Sequence, residues 1–531
     1  MAAKRKADEL EGEAKERSSL AVHTVGSEAS NQEDSSRYGL SDNGHNGGGQ
    51  PIKCPYLDTI DRQVLDFDMD KVCCVSLTTL NVYCCLVCGK FFQGRGTQTP
   101  AYTHSVQAGH FVWIHLQSAK TYCLPDGYEI LDSALNDVKH CLQPTFSDRD
   151  VALLDHNKTL SRDIHGVAYL PGCIGLNNVT QADYVNVILH ALSHIQPLRD
   201  FLLQPANYAD TRSSLVRKFG ELLRKMWSPG NFKSVLSPQE LINGISVGGQ
   251  DKVVLRGGQQ TECIELWNWL TGELAQGLGE TPGRPSILSH CFAGLVEVRE
   301  TAIAADGAET TSTKLVGFKY LSLPIPPPPL FRDAEGGLII PQVPIFDLLR
   351  KFDGQTCSEE VVKGVTIRKR YRLRKLPRYL VFNLDRKGKN NFSTTDTKNR
   401  TIVTFPAKNL EMRDYFEPLP STPSSSSSAS SGAAGSAESL TKYNLVANVG
   451  YRHADAANQK SITIGAQSGA ATVAKKTKGG SDKGAAEKSA ALGSFLVHVH
   501  NKATDQWYEM QDLNVTEIAP HQIGESFAPP P

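Results

Sequence analysis

The chain has 531 residues, 40% of them hydrophobic, which suffices for two to four domains with real cores. Lysine plus arginine equals aspartate plus glutamate at 56 each, so no global field draws the whole protein to nucleic acid or membrane, and any such contact must be local. No apolar run is long enough to span a bilayer and no signal-peptide pattern opens the chain, which predicts no membrane association, residence in the cytosol or nucleus, and reduced thiols.

Residues 1–50 are charged, Ser-, Asn- and Gly-rich, with almost no apolar periodicity. Such a stretch cannot bury enough surface to offset its ordering entropy, and a disordered tail is expected. Lys4 to Lys6 (KRK) offer a short nuclear-import candidate, but beside DELEGE they read more plainly as part of a solvated tail.

Residues 51–150 are expected to form a compact module, because seven of the twelve cysteines lie between Cys54 and Cys123. Within VYCCLVCGKFFQGRGTQTPAYTHSVQAGH, Cys85 and Cys88 form a CxxC knuckle, and His104 and His110 follow sixteen and twenty-two residues after Cys88. Two thiolates and two imidazoles at that spacing suit a tetrahedral zinc. All four positions would be filled by protein, which makes the metal structural rather than catalytic. Cys54, Cys73, Cys74, Cys84 and Cys123 remain as buried thiols or as a second metal site.

From about 165 to 415, helical periodicity in DYVNVILHALSHI, SSLVRKFGELLRKMW and ECIELWNWLTGELA precedes strand-like runs such as LVGFKYLSLPI and RYLVFNL. Helices followed by strands predict an α+β domain. IPPPPL at 325–330 reads as a stiff connector or a polyproline ligand. Alternation along IRKRYRLRK (367–375) sets Lys369, Tyr371, Leu373 and Lys375 on one face and Arg368, Arg370, Arg372 and Arg374 on the other. The arginine face is expected to meet solvent or protein, the alternative being direct RNA contact through phosphates. Residues 420–439 and about 453–491 read as flexible insertions. YNLVANVGY and SFLVHVHNK, on either side of the second, should be hairpin neighbours, since loop closure cost grows only logarithmically with length.

CPYLDTI, the CxxC knuckle, GKFFQGRG and AYTHSVQAGH together resemble the ubiquitin-protease-type zinc finger, and GLNNVTQADYVNVILHAL (175–192) resembles the first box of the ubiquitin-specific proteases. QQTECIEL (259–266), LPRYLVFNLDR (376–386) and GSFLVHVHNKATDQWYEMQDLNVTEI (493–518) follow in the family's order, so the resemblance covers most of residues 51–520. It implies a small zinc finger followed, over 165–525, by a papain-like fold with a helical thumb and a β-rich palm and fingers. Many family members bind a second zinc in the fingers through two CxxC pairs. About 285–370, only Cys291 and Cys357 occur, and that zinc is not expected.

Members of the family cleave the bond after the ubiquitin C-terminus with a cysteine, a histidine and an aspartate or asparagine. By resemblance those positions are Asp183, Ser494 and Gln511, while Asn178 matches the oxyanion-stabilising position. Acyl transfer needs a nucleophile activated by a base that a third group orients, so the resemblance implies an inactive enzyme. His498, about 13 Å along its strand from Ser494, and Cys173, ten residues before the helix junction, are not placed to substitute. Asp183 is expected to serve as an N-cap worth about 0.5–2 kcal/mol.

CPYLDTI, CLVCGK and WYEMQDLNVT resemble in particular the family's inactive, splicing-associated branch. That implies a nuclear scaffold of the spliceosomal tri-snRNP with small nuclear ribonucleoprotein proteins as partners. The alternatives are a ubiquitin-binding adaptor, since Arg95 lies where some related fingers clasp a ubiquitin tail, or a residual deubiquitinase. The family domain ends in a further strand, whereas this chain stops at ESFAPPP, and an unpaired sheet edge is expected there.

Overall fold

The computed structural model describes residues 54–248, 261–303, 309–327, 341–362, 365–386, 399, 401–419, 441–452 and 493–523. The expected tail with Lys4 to Lys6, both insertions, ESFAPPP, residues 259–260 of QQTECIEL and residues 328–330 of IPPPPL lie outside that set.

In the N-terminal module, strands β1 (Val82–Cys85), β2 (Phe91–Gln93), β3 (Val112–His115) and β4 (Thr121–Cys123) form an antiparallel sheet in the order β2–β1–β3–β4. All four residues of β1 are buried. Successive side chains of a strand point to opposite faces, so this requires a core on each side. Val82 and Cys84 join Ile114, Leu65 and Phe67 on one face; Tyr83 and Cys85 join Phe92 and Trp113 on the other. Of the five cysteines outside the CxxC and His set, Cys54, Cys73, Cys84 and Cys123 are buried, whereas Cys74 is exposed.

The segment 65–71, LDFDMDK, straps this module to two helices of the C-terminal body, α4 (Ser214–Trp227) and α5 (Gln239–Gly248); the body's first helices are α2 (Asp183–Ser193) and α3 (Gln196–Leu203), and α1 (Pro100–Ala108) belongs to the module. Asp66 pairs with Lys233 at 2.6 Å, Asp68 with Lys225 at 3.2 Å, and Asp70 accepts from Asn243 at 2.8 Å. Lys71 reaches Glu221 at 2.6 Å and Glu240 at 3.6 Å. Phe232 of the body completes the module's larger core, so the two parts share apolar packing as well as charge.

The body is α+β. Helices α2, α3, α4 and α6 (Cys263–Gly277) pack with α7 (Ile287–Phe292) around one core. Ser213 caps α4, its side chain accepting from the Val216 N–H. α2 is buried on nearly every side, as a helix without a polar face must be. It lies between α6 and a four-stranded antiparallel sheet whose strands β13 (Ala447–Arg452), β14 (Ser494–Asn501), β15 (Gln506–Gln511) and β16 (Asn514–Ile518) are adjacent in that order. The expected hairpin across the second insertion is β13–β14, with Arg452 opposite Ser494.

A second sheet runs in the order β8–β7–β11–β10, from β7 (Gly294–Ile303), β8 (Glu309–Phe318), β10 (Ser358–Val362) and β11 (Val365–Lys375). β9 (Leu321–Pro324) pairs in parallel with β12 (Phe382–Asp385), the strand foreseen in LPRYLVFNLDR. In β11 the arginines meet protein: Arg368 pairs with Glu359, Arg374 with Glu297 and Glu417, and Arg372 donates to the carbonyls of Asp353 and Asp414. Leu373 is buried on the other face, as alternation requires. Cys291 is buried in α7, while Cys357 is exposed with the Arg370 guanidinium on its sulfur, so the two serve separate surroundings.

Candidate functional site

The Cys and His set is assembled by three elements. Cys85 ends β1, and the turn to Cys88 closes through the Gly89 N–H donating to the Cys85 carbonyl at 2.9 Å. Gly89 has φ +71°, and a Cβ there would fall 2.3 Å from the Val64 carbonyl oxygen, so only glycine fits. His104 lies on α1, which ends at left-handed Gly109 and releases His110 back toward the knuckle.

The four ligand atoms lie within 4.8 Å of one another. Cys85 Sγ is 3.5 Å from His110 Nδ1, Cys88 Sγ is 3.5 Å from His104 Nε2, and the two ring nitrogens are 3.0 Å apart. Tetrahedral zinc with the usual bond lengths sets sulfur and nitrogen ligands about 3.6 Å apart, so the donors fit that ion. Phe92 stacks on the His104 ring and Trp113 meets it edge-on, while the Trp113 indole donates to the His110 backbone carbonyl. Burial pushes the Cys85 thiol up to about 12, and a bound dication is what would hold it as thiolate.

The three positions matched to the protease triad meet at one place. The loop from β5 (Gly175–Leu176), which pairs with β6 (Val235–Leu236), enters α2 through Thr180 and Gln181, both at positive φ. Two successive non-glycine residues there mark a strained turn that its surroundings hold. Asp183 follows, 2% exposed. It does not cap α2 as expected: Ala182 occupies the N-cap position with no side-chain bond, and Asp183 is the first helical residue. Its Oδ2 instead accepts the Phe495 N–H at 2.9 Å, because β14 packs directly on α2 and its first amides need acceptors.

Next to Phe495, the Ser494 hydroxyl accepts a hydrogen bond from Gln511 Nε2, and Gln511 Oε1 accepts from Arg452 at 3.2 Å. Arg452 also forks onto both carboxylate oxygens of Glu509 at 3.0 Å, and Glu509 reaches His498 Nε2 at 3.1 Å. His498 is thereby committed to Glu509. Asn178 Nδ2 donates to Asp512 at 3.0 Å, and Asn186 donates to that carboxylate's other oxygen at 3.0 Å. Burial pushes the Asp512 carboxyl up and these two amides pull it back. Gly175 permits the approach, since a Cβ there would sit 2.6 Å from the Leu513 carbonyl oxygen.

The positions that the resemblance assigns to a nucleophile, a base and its partner thus hold a carboxylate, a hydroxyl and an amide, each bonded to its neighbours. Cys173 is buried with Asn501 on its sulfur, and burial pushes its pKa to about 12, which keeps it a thiol. Cys263 is a further thiol in the body, outside the matched triad positions. It opens α6 and lines a cleft of about 1360 Å³ between α2, α6 and the strands, together with Ile188, Trp267, Tyr379 and Phe495. Its position in ECIEL gave no sign of this, because the cleft wall is set by the helix's packing. Arg95 stacks over the Tyr122 ring at 4.4 Å.

Residues 174–528 match the family model "Ubiquitin carboxyl-terminal hydrolase", and residues 73–135 match "Zn-finger in ubiquitin-hydrolases and other protein". Human "Ubiquitin carboxyl-terminal hydrolase 39" is 37% identical over 497 residues, which cover 90% of this chain and 78% of the human protein. "Probable mRNA-splicing protein ubp10" of Schizosaccharomyces pombe is 35% identical over 488 residues, 89% of this chain and 87% of the yeast protein. A solved structure described as "Crystal structure of an essential yeast splicing factor" superposes with a TM-score of 0.64 at 26% identity, covering 88% of this chain and 96% of that one.

Proposed function

The chain belongs to the ubiquitin carboxyl-terminal hydrolase family, and from that premise we propose that it is a non-enzymatic pre-mRNA splicing factor, a scaffold that assembles or maintains the spliceosomal tri-snRNP in the nucleus. One observation carries the inactivity: Ser494 and Gln511 bond to each other where a base and its orienting partner would stand, beside Asp183 bonded to the Phe495 amide. A carboxylate is a feeble nucleophile toward an amide, and neither a hydroxyl nor a carboxamide can protonate the leaving amine at neutral pH. The names of the relatives support the splicing role.

On this reading residues 51–150 form the zinc finger, with Cys85, Cys88, His104 and His110 holding a structural zinc, and 165–525 form the degenerate protease domain. The partners are proteins of the small nuclear ribonucleoproteins. The arginines of β11 turned to carboxylates and carbonyls speak for protein packing over RNA contact on that face.

Depleting the protein should raise intron retention and reduce intact tri-snRNP on gradients, and unchanged levels of both would refute the role. Residual deubiquitinase activity is the second reading, favoured only by Cys263 in the cleft. It predicts turnover of a fluorogenic ubiquitin conjugate that vanishes in Cys263→Ser. Retained ubiquitin binding through the finger would show as a titratable interaction of free ubiquitin that Arg95→Ala abolishes.

A further inference from the structure

The β8–β7–β11–β10 sheet ends on two unlike edges. At one, β10 is five residues long, and its Glu359 and Glu360 are held by Arg368 and Lys369 of β11. At the other, β8 runs ten residues in unbroken register with β7, from Glu309 opposite Ile303 to Phe318 opposite Gly294. It has no proline and no bulge, and its one lysine, Lys314, is turned to Glu300 of β7 at 3.6 Å. Every residue from 309 to 317 is exposed, Leu315 to 52% and Val316 to 46%. Among the described residues no strand pairs with its outer side.

Alternate residues of an antiparallel strand point their N–H and C=O away from the partner strand, so such an edge offers about five donor and acceptor pairs to whatever lies beyond. Soluble proteins ordinarily shield an edge with short strands, charges, prolines or bulges. β10 carries the first two of these devices, and β8 carries almost none.

We propose that β8 is a docking edge onto which an extended segment of a partner protein adds as a fifth strand, with apolar side chains set against Leu315 on one face and Val316 on the other. The inference rests on the scaffold reading above. The chemistry of the edge selects its occupant, because a regular row of backbone donors and acceptors is satisfied along its length only by another extended polypeptide. A second copy of this chain fits less well. Full-length antiparallel self-pairing of 309–318 would set Leu315 opposite Ser312 and Val316 opposite Thr311, leaving the apolar half against hydroxyls. A foreign segment can supply apolar partners at both positions.

The test uses the full chain, as wild type and as the double variant Leu315→Lys, Val316→Lys, mixed with small nuclear ribonucleoprotein particles purified from nuclear extract. Circular dichroism and melting confirm that the variant is folded. A Thr313→Lys variant provides an independent edge charge should the double variant melt early. The expected result is that wild type cosediments, that amides of 309–318 exchange at least tenfold more slowly in the bound chain than in the free one, and that the variants lose at least tenfold in binding. Cosedimentation with unchanged exchange and equal variant binding overturns the docking edge and leaves the scaffold reading standing. A wild-type chain that does not cosediment fails the scaffold reading and the edge with it. Concentration-dependent protection of the same amides without particles assigns the edge to a second copy and overturns the partner segment.

Discussion

Asp183 ties the start of α2 to the first amides of β14. Its carboxylate takes the Phe495 N–H in a site nearly closed to water. Replacing it by alanine strips that amide of its acceptor, at a cost of about 1–3 kcal/mol, to be read as a lower urea midpoint. Asp183→Cys should leave hydrolysis of a ubiquitin conjugate at background, because Ser494 still provides no base; measurable turnover in that variant would show that the missing base is not the obstacle. His190 gives a pH signature. It is 1% exposed, neither ring nitrogen has a hydrogen-bond partner among the described residues, and burial pulls its pKa down to about 3. The unfolded imidazole titrates near 6.5, so between those values the unfolded chain binds more protons and stability falls as pH drops. At pH 5 the loss from this residue is about 2 kcal/mol. His190→Leu should flatten the difference between urea midpoints at pH 7 and pH 5, and an unchanged difference would rule this histidine out as its source.

At the scale of elements, the strap over 65–71 decides how the finger sits on the body. Burial opposes the charge of Lys225, but Asp68, Glu221 and Glu240 outweigh it and hold its pKa above the usual lysine value. Lys225→Met would take the cationic partner from Asp68, while Lys71 still holds Glu221 and Glu240, and breaking such a largely buried pair costs about 3–5 kcal/mol. Protease nicking of the strap should accelerate in that variant, and cleavage at the wild-type rate would show that the strap does not depend on this lysine. The Cys and His knuckle should be equally decisive within the finger. Metal analysis is expected to give one zinc per chain at these four ligands and none in Cys88→Ser, with loss of amide protection across β1 and β3, since the metal contributes on the order of 10 kcal/mol to such a module. The Cys and His cluster could be read in the sequence because CxxC on a turn and two histidines flanking a helix end are local patterns. The strap could not. The partners of LDFDMDK, Lys225, Lys233 and Asn243, lie more than 150 positions away, and only folding brings them to it.

For the whole molecule, order along the chain was legible: helices before strands, an α+β body after a small finger, and a hairpin resuming across a long insertion. These follow from periodicity and loop entropy, which are properties of short segments. The sequence likewise determined which side chains stand at 183, 494 and 511, and on the proposed reading the protease chemistry they lack cannot be restored by folding. Tertiary structure alone decided what those residues do instead. Asp183 faces Phe495, Gln511 bonds Ser494 and Asn178 is drawn to Asp512, since a polar group takes the partner that packing brings within reach, and those partners lie about 310 to 335 positions away for Asp183 and Asn178.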